Sequence, residues 1–256
     1  MIKPFLSVIV LHGKEASPIF TECLESISWA DEIVIIDNGM PLKSLEIAKR
    51  FKTTIFKSDE INFAKLRNLG AQKAKGDWLF YLDSDEILTK ELTEKIKKLI
   101  LDGNKSAYEI LRRNFFFGHE MKHGGWAPDY ILRLIKKDAL VSWQGELHEQ
   151  PKIKGEIGKI KEAILHYTHR NLSEMVEKTN SWSNIEAKLL FEGGHPPMAW
   201  WRFFSIAGRE FWYRGIRELG FLDGPIGIIE IIYQMFSRMV TYAKLWELQL
   251  NSRKDK

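Results

Sequence analysis

Three carboxylates stand within four residues where an apolar run ends: Trp78-Leu79-Phe80-Tyr81-Leu82 leads straight into Asp83-Ser84-Asp85-Glu86. Clustered carboxylates repel one another, so a buried strand that delivers them together is holding them for a purpose. A hard divalent cation carrying a substrate diphosphate is a common purpose, and the strand end reads as a metal-nucleotide site. A second acidic strand end, Glu32-Ile33-Val34-Ile35-Ile36-Asp37, runs into the turn signal Asn38-Gly39. Asp37 and Asp83 then share the edge where open α/β sheets collect ligands, outside the carboxyl ends of the strands.

The elements that must position these residues follow from periodicity. Strands at 5–11, 32–37, 53–57 and 78–82 alternate with helices running from Ser17-Pro18 toward residue 28 and over 42–51, 62–75 and 89–101. The third helix is expected to close at Gly76. Such alternation predicts a parallel sheet covered by helices. Beyond it, strand-like pieces at 107–117 and 130–135 and a glycine-punctuated stretch over 141–167 predict a mixed half. Helical periodicity returns over 172–191, 198–215 and 225–250, so the expected organisation is a domain at 1–170 and a helical region at 171–256.

Composition narrows the classes. A chain of 256 residues with 45% hydrophobic content supports a large core. One cysteine, Cys23, leaves no disulfide framework and no CxxC motif, and reads as a small core residue. The apolar run after Lys3 is too short for a leader and reads as a strand. No stretch reaches the roughly 20 uninterrupted apolar residues of a membrane-spanning helix. A net charge of +4, with basic residues interspersed among acids and aromatics, argues against nucleic-acid binding. Leu11-His12-Gly13-Lys14-Glu15 stands where a dinucleotide fold would carry GxGxxG, which argues against an oxidoreductase.

Taken together, Ser7-Val8-Ile9-Val10, Cys23-Leu24-Glu25-Ser26-Ile27, Asp37-Asn38-Gly39, Arg67-Asn68-Leu69-Gly70 and the Asp83-Ser84-Asp85 triplet resemble a family 2 glycosyltransferase of the GT-A fold, with the triplet as its DxD motif. A narrower resemblance is to bacterial lipopolysaccharide core β-1,4-glucosyltransferases. It rests on Trp78 through Glu86, on His123-Gly124-Gly125-Trp126-Ala127-Pro128-Asp129, on Gly220-Phe221-Leu222-Asp223-Gly224 and on Lys244-Leu245-Trp246-Glu247. Leu11-His12-Gly13-Lys14-Glu15 departs from the family, which usually has a threonine or proline and an asparagine before the glutamate. That loop borders the nucleotide pocket, so base preference stays open.

The resemblance implies an α/β fold of GT-A type: a Rossmann-like, mostly parallel sheet with flanking helices, a mixed acceptor-side half and a C-terminal helical appendage. It implies an inverting hexosyl transfer from a nucleotide-diphosphate sugar, UDP-linked, with magnesium or manganese as cofactor. Asp85 is the expected metal ligand and His148 a further one. Asp83, two residues earlier, is expected at ribose hydroxyls or a metal-bound water. Asp37 is expected at the base or ribose, with an Asx-turn to Gly39 as the plainer reading, and Arg67 beside the donor nucleotide, with a structural ion pair as the plainer one. Two carboxylates compete as the general base, Asp129 and Glu149, with Asp129 preferred. His123, His166 and His169 are left to structure or acceptor contact.

From His195 onward nine Lys and Arg face six Asp and Glu, so this region carries +3 of the chain's +4. Trp200, Trp201, Phe203, Phe204, Phe211, Trp212 and Tyr213 interleave with Arg202, Arg209, Arg214 and Arg217, the composition of a helix lying in a membrane interface. Glu230, Gln234 and Arg238 form a thin polar stripe at four-residue spacing on the last helix. The expected partners are therefore a nucleotide sugar, a lipid-linked glycan such as lipopolysaccharide inner core, and the cytoplasmic face of the membrane. Packing against the catalytic domain or a second subunit is the competing use of the aromatics. A polyprenyl-linked, capsule or peptide acceptor, and a scaffold without turnover, are the rival functions.

Overall fold

The computed structural model describes residues 4–15, 17–145 and 149–254. They fall into two compact units, one formed by Met1–Arg113 with Asp129–His166, the other by Asn114–Pro128 with Tyr167–Lys256.

The first unit is built on β1 (Leu6–His12), β2 (Glu32–Asp37), β3 (Thr53–Lys57) and β4 (Trp78–Asp83), parallel and in the order β3-β2-β1-β4. Every residue of β1 is buried, as in a strand covered on both faces. Leu6, Val8 and Val10 join one core cluster with Phe20 and Leu24 of α1 (Phe20–Ile27) and Leu92 and Ile96 of α4 (Lys90–Asp102). Ile9 and Leu11 join a second cluster with Ala64 and Leu66 of α3 (Phe63–Lys73). α2 (Leu42–Ala48), three residues shorter than expected, adds Ala48 to the first cluster, and the two-residue alternation of side chains thus anchors helices on both faces. Register places His12 opposite Asp37 and Leu11 opposite Asp83, so both acidic strand ends emerge at one edge.

The sheet continues from β4 through β8 (Asp129–Lys136), β6 (Ala107–Phe116), β11 (Ile157–Tyr167) and β5 (Glu86–Leu88). β8 runs antiparallel to both β4 and β6, the two-residue β7 (His119–Glu120) antiparallel to β6, and β5 antiparallel to β11. β9 (Leu140–Gln144) and β10 (Gln150–Ile153) form a separate antiparallel pair. A parallel half carrying nucleotide-type topology and a mixed half are the expected α/β architecture.

Two local expectations change. α1 starts at Phe20 rather than at Ser17-Pro18, because Phe20 N donates to Ser17 O in a preceding turn at 3.2 Å. α3 is capped by Asn62, whose side chain accepts from Lys65 N at 3.0 Å, but it ends at Ala74 in extended conformation, not at Gly76. Gly76 answers a different need: a Cβ there would lie 2.6 Å from Ser7 N, so only glycine lets the chain cross β1 at that point.

In the second unit α7 (Gly224–Lys254) packs against α5 (Leu172–Glu192) and α6 (Trp200–Glu210). The expected helix over 198–215 is α-helical only as far as Glu210. Phe211–Arg217 is π-helical, closing with Glu218 N on Tyr213 O at 2.9 Å, and a 3-10 turn over Gly220–Asp223 follows Leu219 at φ +52°. The segment Asn114–Pro128 belongs here because Lys122 N and His123 N donate to the buried Asp223 carboxylate, at 3.1 and 2.9 Å. A single cut after residue 170 does not capture that excursion. Among the described residues no single helix is long and apolar enough to cross a membrane; Trp200–Arg217 and Gly220–Ser252 pass that test only as a pair bent by 70°.

Candidate active site

Arg67 is brought to the acidic edge by close packing of α3 on β1. A Cβ on Gly70 would lie 2.4 Å from Ile9 Cγ2, so the glycine sets how near the helix can come. One turn earlier Arg67 is buried, and its Nη2 donates to Asp83 Oδ1 at 3.0 Å while its Nε donates to Glu149 Oε1 at 2.9 Å. The guanidinium lies over the Trp143 ring at 5.0 Å. Next to it, Asn68 grips the Trp143 backbone from both sides, accepting from its N at 2.8 Å and donating to its O at 2.9 Å. That clamp ties the strand before Glu149 to α3.

A second buried arginine, Arg133 of β8, donates through Nη2 to Asp83 Oδ2 at 2.6 Å and to Glu86 at 3.0 and 3.2 Å. Glu86 is fully buried and also accepts from Asp83 N at 3.0 Å. Arg112 reaches the same Glu86 with Nη1 at 3.5 Å and donates through Nε to Asp129 Oδ2 at 2.8 Å. Arg112 and Asp129 meet because antiparallel register sets them directly opposite each other on β6 and β8. A continuous ionic chain therefore runs Glu149, Arg67, Asp83, Arg133, Glu86, Arg112, Asp129.

Burial disfavours the charge on Asp83, but Arg133 and Arg67 outweigh it and hold the carboxyl well below the usual carboxylate range. Burial likewise opposes the charge of Arg133, and Asp83 and Glu86 more than compensate. Within the ionic chain, with Asp85 added, three arginines face five carboxylates, an excess of two negative charges.

Asp85, 29% exposed, has His166 Nε2 at 3.6 Å from its Oδ2. His166 arrives there through the β11–β5 register, which sets it opposite Glu86. His148, the expected further ligand, lies outside the described residues. Among the described residues no three His, Cys, Asp or Glu side chains converge as a metal cage. One carboxylate with an imidazole beside it is too few protein ligands for a cage, so a divalent cation held there would take most of its oxygen ligands from substrate phosphates and water.

Asp37 is buried and its Oδ1 accepts from Gly39 N at 3.0 Å and Met40 N at 2.6 Å, which is the turn its sequence signals. His12, its partner in register, is buried edge-on to Phe20; its Nδ1 lies 2.9 Å from Gly13 O, and its Nε2 has no hydrogen-bond partner. Burial lowers its pKa, so the ring is neutral near pH 7. Cys23 is buried with its Sγ 3.7 Å from Asp83 O, and burial pushes its thiol well up, which makes it a packing residue.

Sequence reasoning placed Asp37 and Asp83 at one strand edge and took Arg67, Asp85, Asp129 and Glu149 from the resemblance; of these Arg67, Asp129 and Glu149 join Asp83 in the ionic chain. It left out Arg112, Arg133 and the linking role of Glu86, and it set His166 aside. Strand alternation could have placed Arg133 on the face of Ile131, but its partners lie on other strands.

Residues 7–154 match the model of glycosyl transferase family 2. Relatives along nearly the whole chain include a glycosyltransferase of Rickettsia bellii described as uncharacterized, 22% identical over 96% of this chain and 87% of its own. The lipopolysaccharide core biosynthesis glycosyltransferase LpsC of Rhizobium meliloti is 23% identical over 79% of this chain and 76% of its own. Among solved structures, S. aureus TarS 1-349 in complex with UDP-GlcNAc shares the fold, with a TM-score of 0.51 at 12% identity, covering 98% of this chain and 92% of that one.

Proposed function

Because the chain belongs to glycosyl transferase family 2, with a fold of GT-A type, we propose that it is a metal-dependent inverting hexosyltransferase. In this reading it uses a UDP-linked sugar and a lipid-anchored glycan acceptor of the lipopolysaccharide inner-core kind. The observation that carries it is the charge of the strand edge. Five carboxylates against three arginines repel a bare diphosphate, and a divalent cation is the partner that lets the two meet. Mg²⁺ or Mn²⁺ at Asp85 and His166 would supply charge neutralisation of the leaving diphosphate.

The chain's own residues divide the remaining work. Asp37 and the neighbouring His12 border the base and ribose, and Arg67, with one buried nitrogen lacking a partner, faces the diphosphate side. The base takes the proton of the attacking acceptor hydroxyl as its oxygen bonds to the anomeric carbon. The bond from that carbon to the phosphate oxygen breaks, and the diphosphate leaves with the electron pair, inverting the centre. Asp129 is the preferred base and Glu149 its rival; Glu149 is bound to the donor-side Arg67, whereas Asp129 stands at the opposite end of the ionic chain.

Two things support the donor and acceptor assignments. TarS was solved with UDP-GlcNAc, and LpsC is named for lipopolysaccharide core biosynthesis. The second unit also exposes Trp200 and Phe204 by 70% and 74%, together with Trp201, Trp212, Phe221 and Ile232, a density of large apolar side chains suited to a lipid interface. The protein would then work at the cytoplasmic face of the membrane. The test is UDP release from UDP-glucose and UDP-N-acetylglucosamine, with deacylated inner-core lipopolysaccharide as acceptor and with manganese or EDTA. Acceptor-stimulated, manganese-dependent release is the expected result; release indifferent to EDTA would remove the metal.

A further inference from the structure

Glu86 is an unusual member of the acidic cluster: fully buried, it touches two of the three arginines that hold the other carboxylates, Arg133 and Arg112. Arg133 ties it to Asp83, next but one to the proposed metal ligand, and Arg112 ties it to Asp129, the preferred base. Its own oxygens accept four bonds, two from Arg133, one from Arg112 and one from Asp83 N. Those partners come from three strands, β4, β6 and β8, none adjacent to β5 in the chain except β4. A buried ion group with every oxygen engaged has one low-energy arrangement, so it fixes distances rather than merely filling space.

We propose that Glu86 and Arg112 are positioning residues, an ionic brace that sets the spacing between the donor-side carboxylates at the end of β4 and the acceptor-side Asp129. The inference rests on the transfer reading above and adds to it two residues that touch no substrate. A glutamine at 86 keeps the shape but turns one accepting oxygen into a donor facing an arginine. One arm of the brace then opens. Glutamine at 112 removes the charge that joins Glu86 to Asp129, while lysine there keeps the charge and loses the fork.

A misplacement of about 1 Å at a reacting centre costs roughly 10²-fold in rate. The experiment compares the full-length wild type with Glu86→Gln, Arg112→Gln and Arg112→Lys. It measures UDP affinity with manganese by calorimetry, melting temperature, and kcat and KM for UDP-sugar with deacylated inner-core lipopolysaccharide. The brace predicts UDP affinity within about threefold of wild type and kcat lower by about 10²-fold in both glutamine variants. It also predicts that Arg112→Lys recovers a large part of kcat. A kcat that stays near wild type, or one that falls only as far as UDP affinity falls, overturns the proposal. Should Glu86→Gln fail to fold, the Arg112 pair alone decides, since a lysine no better than glutamine contradicts a charge-based brace. A wild type that binds UDP and turns over while the variants match it sinks only the brace. A wild type that neither binds UDP nor releases it sinks the transfer reading, and the brace with it.

Discussion

Removing Arg133 is the sharpest probe of the ionic chain. In Arg133→Met the apolar stem volume is kept, and Asp83 and Glu86 each lose their shortest charged donor, at 2.6 and 3.0 Å. Breaking a buried pair costs about 3–5 kcal/mol, because the partner is left charged and dry. Here Asp83 retains Arg67 and is 28% exposed, and Glu86 retains Arg112 and Asp83 N, so the lower end applies. The expected loss is about 3 kcal/mol, a melting point lower by roughly 6–12 °C for a chain of this size.

The loss carries a pH signature with a definite sign. In the wild type the Asp83 pKa is depressed, so its contribution is complete above the unfolded value near 3.9 and fades as pH falls toward the folded one. In the variant Asp83 keeps only Arg67 as a charged partner, so its carboxyl takes up a proton more easily and acid relieves the local repulsion. The gap between the two proteins is therefore widest at neutral pH and narrows below about pH 5. Urea denaturation in EDTA-containing buffer from pH 4 to pH 8 reads it. A gap under about 1 kcal/mol, or one that does not change with pH, would mean that Arg133 contributes packing and not charge.

Gly70→Ala should cost about 1–3 kcal/mol by forcing α3 off Ile9, and should weaken UDP binding by displacing Arg67; unchanged melting and affinity would show that β1 yields to the methyl group. Asp129→Asn should leave UDP affinity intact and lower turnover by about 10²-fold or more. Near-normal turnover would pass the base to Glu149. Replacing Trp200, Phe204 and Trp212 by serine should release the protein from phosphatidylglycerol-containing liposomes in sedimentation, and undiminished binding would refute the interface helix.

Most of the parallel half was legible because β1, β2 and β4 are apolar runs that end abruptly in polar residues, and Asn62 and Thr89 stand where caps are needed. The strand-end carboxylates were equally visible, since Asp37 and Asp83 close their runs. What was hidden depends on register between distant segments. Arg112 and Asp129 face each other only because β6 and β8 pair in that alignment, and His166 reaches Asp85 only through the pairing of β11 with β5. The excursion 114–128 was hidden for the same reason, its anchor being Asp223, 100 residues from His123. Helical periodicity over 198–215 was correct in kind, but a hydrophobic pattern cannot distinguish a widened π-turn at Phe211–Arg217 from a regular one.

The central claim is that this strand edge receives a nucleotide diphosphate together with a divalent cation. Titration calorimetry of UDP into the wild type and into Asp85→Asn, each with manganese and with EDTA, tests it most directly. The account predicts binding that requires manganese in the wild type and is lost or weakened at least tenfold in the variant, about 1.4 kcal/mol or more. Equal UDP affinity in all four titrations would contradict it.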